Sequence, residues 1–159
     1  FLDRDGVINY DYGYVHKINK FKFRNGVLKG LKHLCQKKYY IFLITNQAGI
    51  AKGIFKERDF ISLHSKLKNI LEKRGIYFNE VAFSPFHPQA KIKKYKKNSL
   101  TRKPGNLLIE NIKKNWHIKL KKSFMIGDQQ TDKLAAHKSK LYFEFPKKDF
   151  FRQIKSFTK

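Results

Sequence analysis

Near its start the chain reads FLDRDGVIN, with Asp3 and Asp5 separated by a single residue. Like charges a few ångströms apart raise the cost of ionising one another unless something positive sits between them. The chain has 12 acidic residues against 36 Lys and Arg, so carboxylates are scarce and a close pair of them is informative. A divalent cation would make the crowding tolerable, and hard cations take carboxylate and carbonyl oxygens. A carboxylate can also attack phosphorus and carry it as an acyl phosphate, splitting one hard hydrolysis into two easier displacements. Asp3 is the expected nucleophile. Asp5 faces the same site from another angle and is the expected general acid and base, protonating the leaving alkoxide and later taking a proton from water.

The other candidates follow other apolar runs. YYIFLITNQAGI brings Thr45, Asn46 and Gln47 after one run, Arg102-Lys103-Pro104 closes a long polar stretch, and IGDQQTD brings Asp128 and Asp132 after another. Thr45 and Lys103 would hold the equatorial phosphoryl oxygens, where charge is spread in the transition state. Arg102 would fork onto a substrate oxygen or a second phosphate. Magnesium would draw together Asp3, Asp128 and the phosphate. For Asp132 two readings stand, support behind the metal site or a cap on the following helix, with Thr131 as a competing cap. Asn46 either meets substrate or closes a turn.

Strands alternating with helices are needed to carry these residues to one place. Phe1-Leu2 reads as the end of a strand, Gly26 to Lys37 as a helix with Val27, Leu28, Leu31, Leu34 and Cys35 on one face, and Tyr39 to Thr45 as a buried parallel strand. Phe60, Leu63, Leu67, Ile70 and Leu71 mark a helix stopping at Gly75. A strand near Glu80 to Phe83, a polar loop from Ser84 to Thr101 and a helix through Leu108 and Ile112 come next. A strand at Ser123 to Ile126, a short helix around Leu134 to His137 and a strand near Leu141 to Phe145 complete the order. This is an α/β pattern with a mostly parallel sheet, in which ligands bind beyond the carboxyl ends of the strands.

The 159 residues imply one domain spanning 1–159, and the hydrophobic fraction of 41% excludes disorder as the default. The chain begins at Phe1 inside what reads as a strand, so that first strand is expected to be incomplete. A single cysteine, Cys35, excludes a disulfide framework and a paired-cysteine metal site, and fits a cytoplasmic setting. No apolar run is long enough to span a membrane. The net charge of +24 either draws anionic partners or reflects lysines that solvate the surface. The run from Lys91 to Lys97 is correspondingly a solvated basic loop or a cationic lid over an anionic substrate, and Lys147 to Lys159 a last helix on the sheet or a membrane-surface helix.

FLDRDGVIN, ITNQAGIAKG, RKP and IGDQQTD resemble, in order, the four motifs of the haloacid dehalogenase superfamily of phosphatases. DYGYVH, TNQAGI and SPFHPQ followed by RKP resemble more narrowly the D-glycero-D-manno-heptose 1,7-bisphosphate 7-phosphatase and histidinol-phosphatase family. The resemblance covers nearly the whole chain, weakest after about Leu141. It implies a Rossmann-like sheet flanked by helices without a large cap domain, magnesium, an aspartyl-phosphate intermediate, and a small sugar phosphate or bisphosphate as substrate. Separately, the chain is expected to act as a monomer. By the family pattern the catalytic set is Asp3, Asp5, Thr45 and Lys103, and magnesium is bound at Asp3, Asp5 (through its backbone carbonyl) and Asp128. Substrate contacts fall on Asp11, Tyr12, Gly13, Tyr14, Asn46, Gln47, Ala48 and Arg102. The family's zinc ligands match Ser84, Phe86, Ser99 and Thr101, none a competent zinc donor, so no zinc is expected. His87 is expected to be a loop histidine bonded locally. Gly105-Asn106 follows RKP at once, and Gln129 stands where the heptose enzymes often carry a basic residue. A nucleic-acid-directed 3′-phosphatase or phosphate-binding module remains the reading from another class.

Overall fold

A computed structural model describes residues 1–158, so Lys159 of the basic C-terminal segment lies outside the described residues. The sheet is built around the first residues of the chain. Leu2 pairs in parallel with Leu43 on one side and Ile126 on the other. Its backbone bonds run both ways, Leu2 N to Phe42 O at 2.8 Å and Asp3 N to Ile126 O at 2.9 Å. Outward from this centre lie β1 (Phe42–Asn46) and then β2 (Glu80–Ser84), and on the other side β3 (Phe124–Ile126) and then β4 (Tyr142–Glu144). All neighbours are parallel, so every strand ends on the same edge of the sheet.

Helices cover both faces, as a parallel sheet requires. On one face α1 (Val27–Gln36), the end of α3 (Glu57–Glu72) and α6 (Phe150–Phe157) bury Val27, Leu31, Leu71, Phe150 and Ile154 against Leu2, Leu43 and Ile126. On the other face α4 (Leu107–Asn115) and α5 (Gln130–Lys138) bury Ile109, Ile112, Ala135 and Ala136 against Phe42, Ile44 and Met125. The last segment therefore forms a packed helix. Gly30 makes this possible, because a Cβ there would stand 2.6 Å from the Phe150 ring.

The apolar periodicities locate α1, α3 and α4 closely, but β1 starts at Phe42 rather than Tyr39, and two helices also differ from expectation. A short helix α2 (Ala48–Ala51) follows β1, too small to show a period. Helix α5 starts at Gln130 rather than near Leu134, because Asp132 in its first turn accepts a bond from Gln129 N at 2.9 Å. A polar first turn carries no apolar signal to read.

On α3, His64 is half-buried against the Phe60 ring, centroids 4.3 Å apart, and its buried Nε2 has no hydrogen-bond partner among the described residues. Burial first, then the charge of Arg4, push this imidazole down from 6.5 to about 3 against the opposing pull of Asp5. The unfolded chain binds a proton that the folded chain refuses, so the stability this group contributes falls as pH drops from 6.5 towards 3 and is fully restored above 6.5. Its slope is about 1.4 kcal/mol per pH unit for one proton. Asp3, raised by burial from 3.8 to about 7, adds a slope of the opposite sign over the same range, so the His64 contribution is read as a difference. In urea unfolding from about pH 4 to about pH 6, His64→Leu is expected to lower the slope of stability against pH by about that amount relative to the unsubstituted protein.

Candidate active site

Because Asp3 directly follows the central strand, it stands at the middle of the sheet's carboxyl edge. The chain then bends at Arg4 and doubles back, with Gly6 N bonded to Asn9 O at 2.9 Å. Gly6 has φ +77°, and a Cβ there would lie 2.5 Å from Asp128 Oδ2, so only glycine lets Asp128 come alongside the turn. A cavity of about 550 Å³ opens over this edge, with Asp3, Asp5, Lys103, Asp128 and Asp132 in its wall.

At the floor, Lys103 Nζ donates to Asp3 Oδ1 at 2.7 Å and Ile44 O at 2.9 Å, and pairs with Asp132 Oδ1 at 2.5 Å. All three charged groups are buried. Burial opposes the Lys103 charge, yet the two carboxylates outweigh it and its proton affinity is raised. Asp3 is pushed up to about 7, by burial first and then by the charges of Asp132 and Asp5, with Lys103 opposing. Asp128 is also raised, chiefly by burial, although Gln129 Nε2 donates to it at 2.7 Å. One ammonium is thus set against more buried carboxylate than it can neutralise.

Oxygens of Asp3, Asp128 and Asp132 lie within 4.8 Å of one another. Such hard donors with excess negative charge suit a magnesium-sized cation. The third carboxylate of this group is Asp132, not Asp5. Asp132 fills both roles open to it, since one oxygen caps α5 while the other meets Lys103.

The Asp5 carboxylate belongs to a different set of partners. It accepts from Arg4 Nη2 at 2.8 and 2.9 Å, Asn9 Nδ2 at 2.9 Å and Gln47 Nε2 at 3.0 Å. Gln47 also donates to Thr45 Oγ1 at 2.8 Å, and Thr45 is buried beneath the cavity rather than in its wall. Asn46 does more than close a turn, because its side-chain amide clasps the backbone of Lys103 from both sides, at 3.0 and 3.1 Å. That clasp fixes the RKP segment against the end of β1.

Asp11, Gly13, Tyr14, Asn46, Gln47, Ala48 and Arg102 all line the cavity, and Asp11 Oδ1 accepts from Gly13 N at 2.8 Å. Tyr12 does not, and is 62% exposed at the tip of its loop. Beside the cavity, Lys52 Nζ donates to the hydroxyl of the lining Tyr14 at 2.7 Å, while the Arg102 guanidinium, in the cavity wall, makes a long bond of 3.4 Å from Nη1 to Phe86 O and no other among the described residues. His87 sits nearby, its proton affinity lowered by burial and then by the charges of Arg102 and Lys52, and its Nδ1 accepts from Gln89 N at 3.1 Å. The sequence reading missed Lys52, one among many lysines, and also Arg4 and Asn9. For Arg4 a signal was present, a cation written between the two carboxylates in DRD.

The long loop folds over α2 around the buried Tyr95, with Lys91 N and Ile92 N bonded to Ala51 O at 3.0 and 3.1 Å. Its ends are tied by hydroxyls: Thr101 Oγ1 is 3.0 Å from Ser84 Oγ and 2.8 Å from Ser99 Oγ. These are three of the four positions that match zinc ligands in the resembled family. The lysines from Lys91 to Lys97 are exposed around this fold.

Residues 5–155 match the family model described as polynucleotide kinase 3 phosphatase. The chain is similar to the D-glycero-beta-D-manno-heptose-1,7-bisphosphate 7-phosphatase of Photorhabdus laumondii, at 40% identity over 89% of this chain and 75% of the relative. It is similar also to the enzyme of that name from Rhodopseudomonas palustris, at 38% identity over 86% of this chain and 76% of the relative. In fold it resembles the D,D-heptose 1,7-bisphosphate phosphatase of B. bronchiseptica, whose crystal structure was determined with magnesium and phosphate. That likeness has a TM-score of 0.81 and 24% identity, over 98% of this chain and 83% of the other.

Proposed function

We propose, because the chain belongs to the haloacid dehalogenase-like phosphatases and within them to the heptose 1,7-bisphosphate 7-phosphatase family, that it removes one phosphate from a small sugar bisphosphate. D-glycero-D-manno-heptose 1,7-bisphosphate is the first candidate substrate, on the strength of the relatives' names. The observation that carries the reading is the convergence of Asp3, Asp128 and Asp132 oxygens within 4.8 Å beside Lys103, at the floor of an open cavity.

In this reading Asp3 attacks the phosphoryl group and becomes the aspartyl phosphate. Asp5 gives a proton to the departing sugar oxygen and then takes one from the water that frees Asp3. Lys103, already bonded to Asp3, holds a phosphoryl oxygen, and Thr45 another from below. Magnesium, held by Asp3, Asp128 and the Asp5 carbonyl, would screen the nucleophile from the phosphate it attacks. The protein acts as a monomeric cytoplasmic domain on a soluble substrate. No helix among the described residues is long and apolar enough to cross a membrane.

A bisphosphate is favoured over a monophosphate by the mouth of the cavity. Arg102 and Lys52 have no carboxylate partner among the described residues, so both are available to a second phosphate. Arg102→Ala is expected to raise KM for a sugar bisphosphate by about tenfold or more, the scale of a lost charged hydrogen bond, and to leave the KM of a sugar monophosphate nearly unchanged. The +24 charge and the description of the matching family model favour a second reading, removal of 3′-phosphates from nucleic acid.

One assay separates them. Phosphate release is measured with heptose bisphosphate, other sugar phosphates and bisphosphates, histidinol phosphate and 3′-phosphorylated oligonucleotides, with and without magnesium. The highest kcat/KM is expected for a sugar bisphosphate in magnesium. Faster release from oligonucleotides, with rates falling steeply in salt, would replace this reading with the second.

A further inference from the structure

Arg4 is the largest of the fully buried side chains, at 1% exposure, and the reaction as described makes no use of it. Taking a guanidinium out of water costs several kcal/mol unless it is paired and hydrogen-bonded. Its one carboxylate partner among the described residues is Asp5, which it grips through Nε at 3.1 Å and Nη2 at 2.8 and 2.9 Å. Nη2 also donates to Val15 O at 2.7 Å, and the Phe60 ring packs 5.6 Å from the guanidinium carbon. Nη1 has no partner among the described residues, so the group is not buried for the sake of full hydrogen bonding.

The geometry explains what Asp5 would do without this grip. One residue separates it from Asp3, where Lys103 stands between two carboxylates and where a divalent cation would bind. Without a grip the Asp5 side chain is free to turn, towards a bound cation or, repelled by Asp3 and Asp132, away from the site, and in either case its carboxylate no longer faces the leaving oxygen or the water. Arg4 grips the carboxylate through its planar fork, which fixes the carboxylate's orientation. Asn9 and Gln47 complete the hold from two further directions.

We infer that Arg4 is a positioning residue, whose buried guanidinium keeps the Asp5 carboxylate aimed at the cavity. The inference rests on the reading of Asp5 as the general acid and base.

Single-turnover kinetics with p-nitrophenyl phosphate test it, because nitrophenolate departs without needing a proton. Phosphorylation of Asp3 then dispenses with Asp5, while hydrolysis of the aspartyl phosphate still requires it. In Arg4→Met, whose apolar stem preserves the packing, the initial burst of nitrophenolate is expected to persist. The steady-state rate is expected to fall at least about tenfold, within the range that general acid–base groups supply, and the magnesium requirement to stay the same. Should that variant not fold, Arg4→Lys carries the same test, since it keeps the charge without the fork. A burst and a steady state that fall together, or that both stay at the level of the unsubstituted protein, would overturn the inference. Asp5→Asn is run alongside. Full turnover in Asp5→Asn would overturn the assignment of Asp5 itself, whereas an inactive Asp5→Asn beside an active Arg4→Met would overturn the role of Arg4 alone.

Discussion

Asp3→Asn is expected to reduce kcat by at least about 10⁴-fold, the scale on which enzymes lose activity with their covalent nucleophile. An amide oxygen at this position can still accept the bond from Lys103 Nζ, now 2.7 Å from Asp3 Oδ1, so the fold should survive. It should even gain stability when no metal is present. Asp3 is pushed up to about 7 because burial and the charges of Asp132 and Asp5 outweigh Lys103, and a neutral amide removes that unfavourable charge. The pairing of Lys103 with Asp132 remains. Phosphate release, acid-quenched phosphoenzyme and the melting temperature are the measurements. A protein that melts at or above the unsubstituted temperature, yet forms no phosphoenzyme, is the expected result. Turnover within tenfold of normal would remove the covalent route.

Lys103→Met has the opposite signature, with both activity and stability lost. Removing a charged donor aimed at the transferring phosphate costs about 10²–10³ in kcat. The structural cost is separate. Asp3 and Asp132, both buried, are each bridged by Lys103 and would face one another without a cation. Breaking one side of a buried ionic group costs about 3–5 kcal/mol, because a charge is left uncompensated. Magnesium should return part of that loss, since an ion held by Asp3 and Asp128, with the Asp132 carboxylate close by, would supply the missing charge. The shift of the urea midpoint on adding magnesium is therefore expected to be larger in Lys103→Met than in the unsubstituted protein. Equal shifts would mean that the ion does not share the pocket with Lys103. Arg102, the neighbouring cation, cannot substitute, being directed at the cavity mouth and Phe86 O.

Seen from particular residues, the legible part of the site is the part carried by type and order. Asp3, Asp5 and Asp128 stand out because they closely follow apolar runs in a chain with few carboxylates, Lys103 because it sits in the RKP that closes the long polar stretch, and their order matches the order of the elements that carry them. The apolar periods of α1, α3 and α4 were readable for the same reason, since a core-facing stripe repeats at helical spacing. What stayed hidden has no local signature. Helix α2 is a single turn, α5 opens on polar residues, and Lys52 is one lysine in a chain of many. The clasp of Asn46 on Lys103 joins residues 57 apart, and no pattern near either one announces it.

The sequence alone determined the chemistry available: which carboxylates, which cations and which order of strands would bring them to one edge. Tertiary structure alone decided how that charge is shared. It set Asp132, rather than the Asp5 side chain, with Asp3 and Asp128, and it turned Asp5 towards Arg4, Asn9 and Gln47. The reason is physical. Residue identity fixes which groups can be charged, but which charges are stabilised depends on burial and on partners contributed by distant strands, and those exist only once the sheet has closed around Leu2.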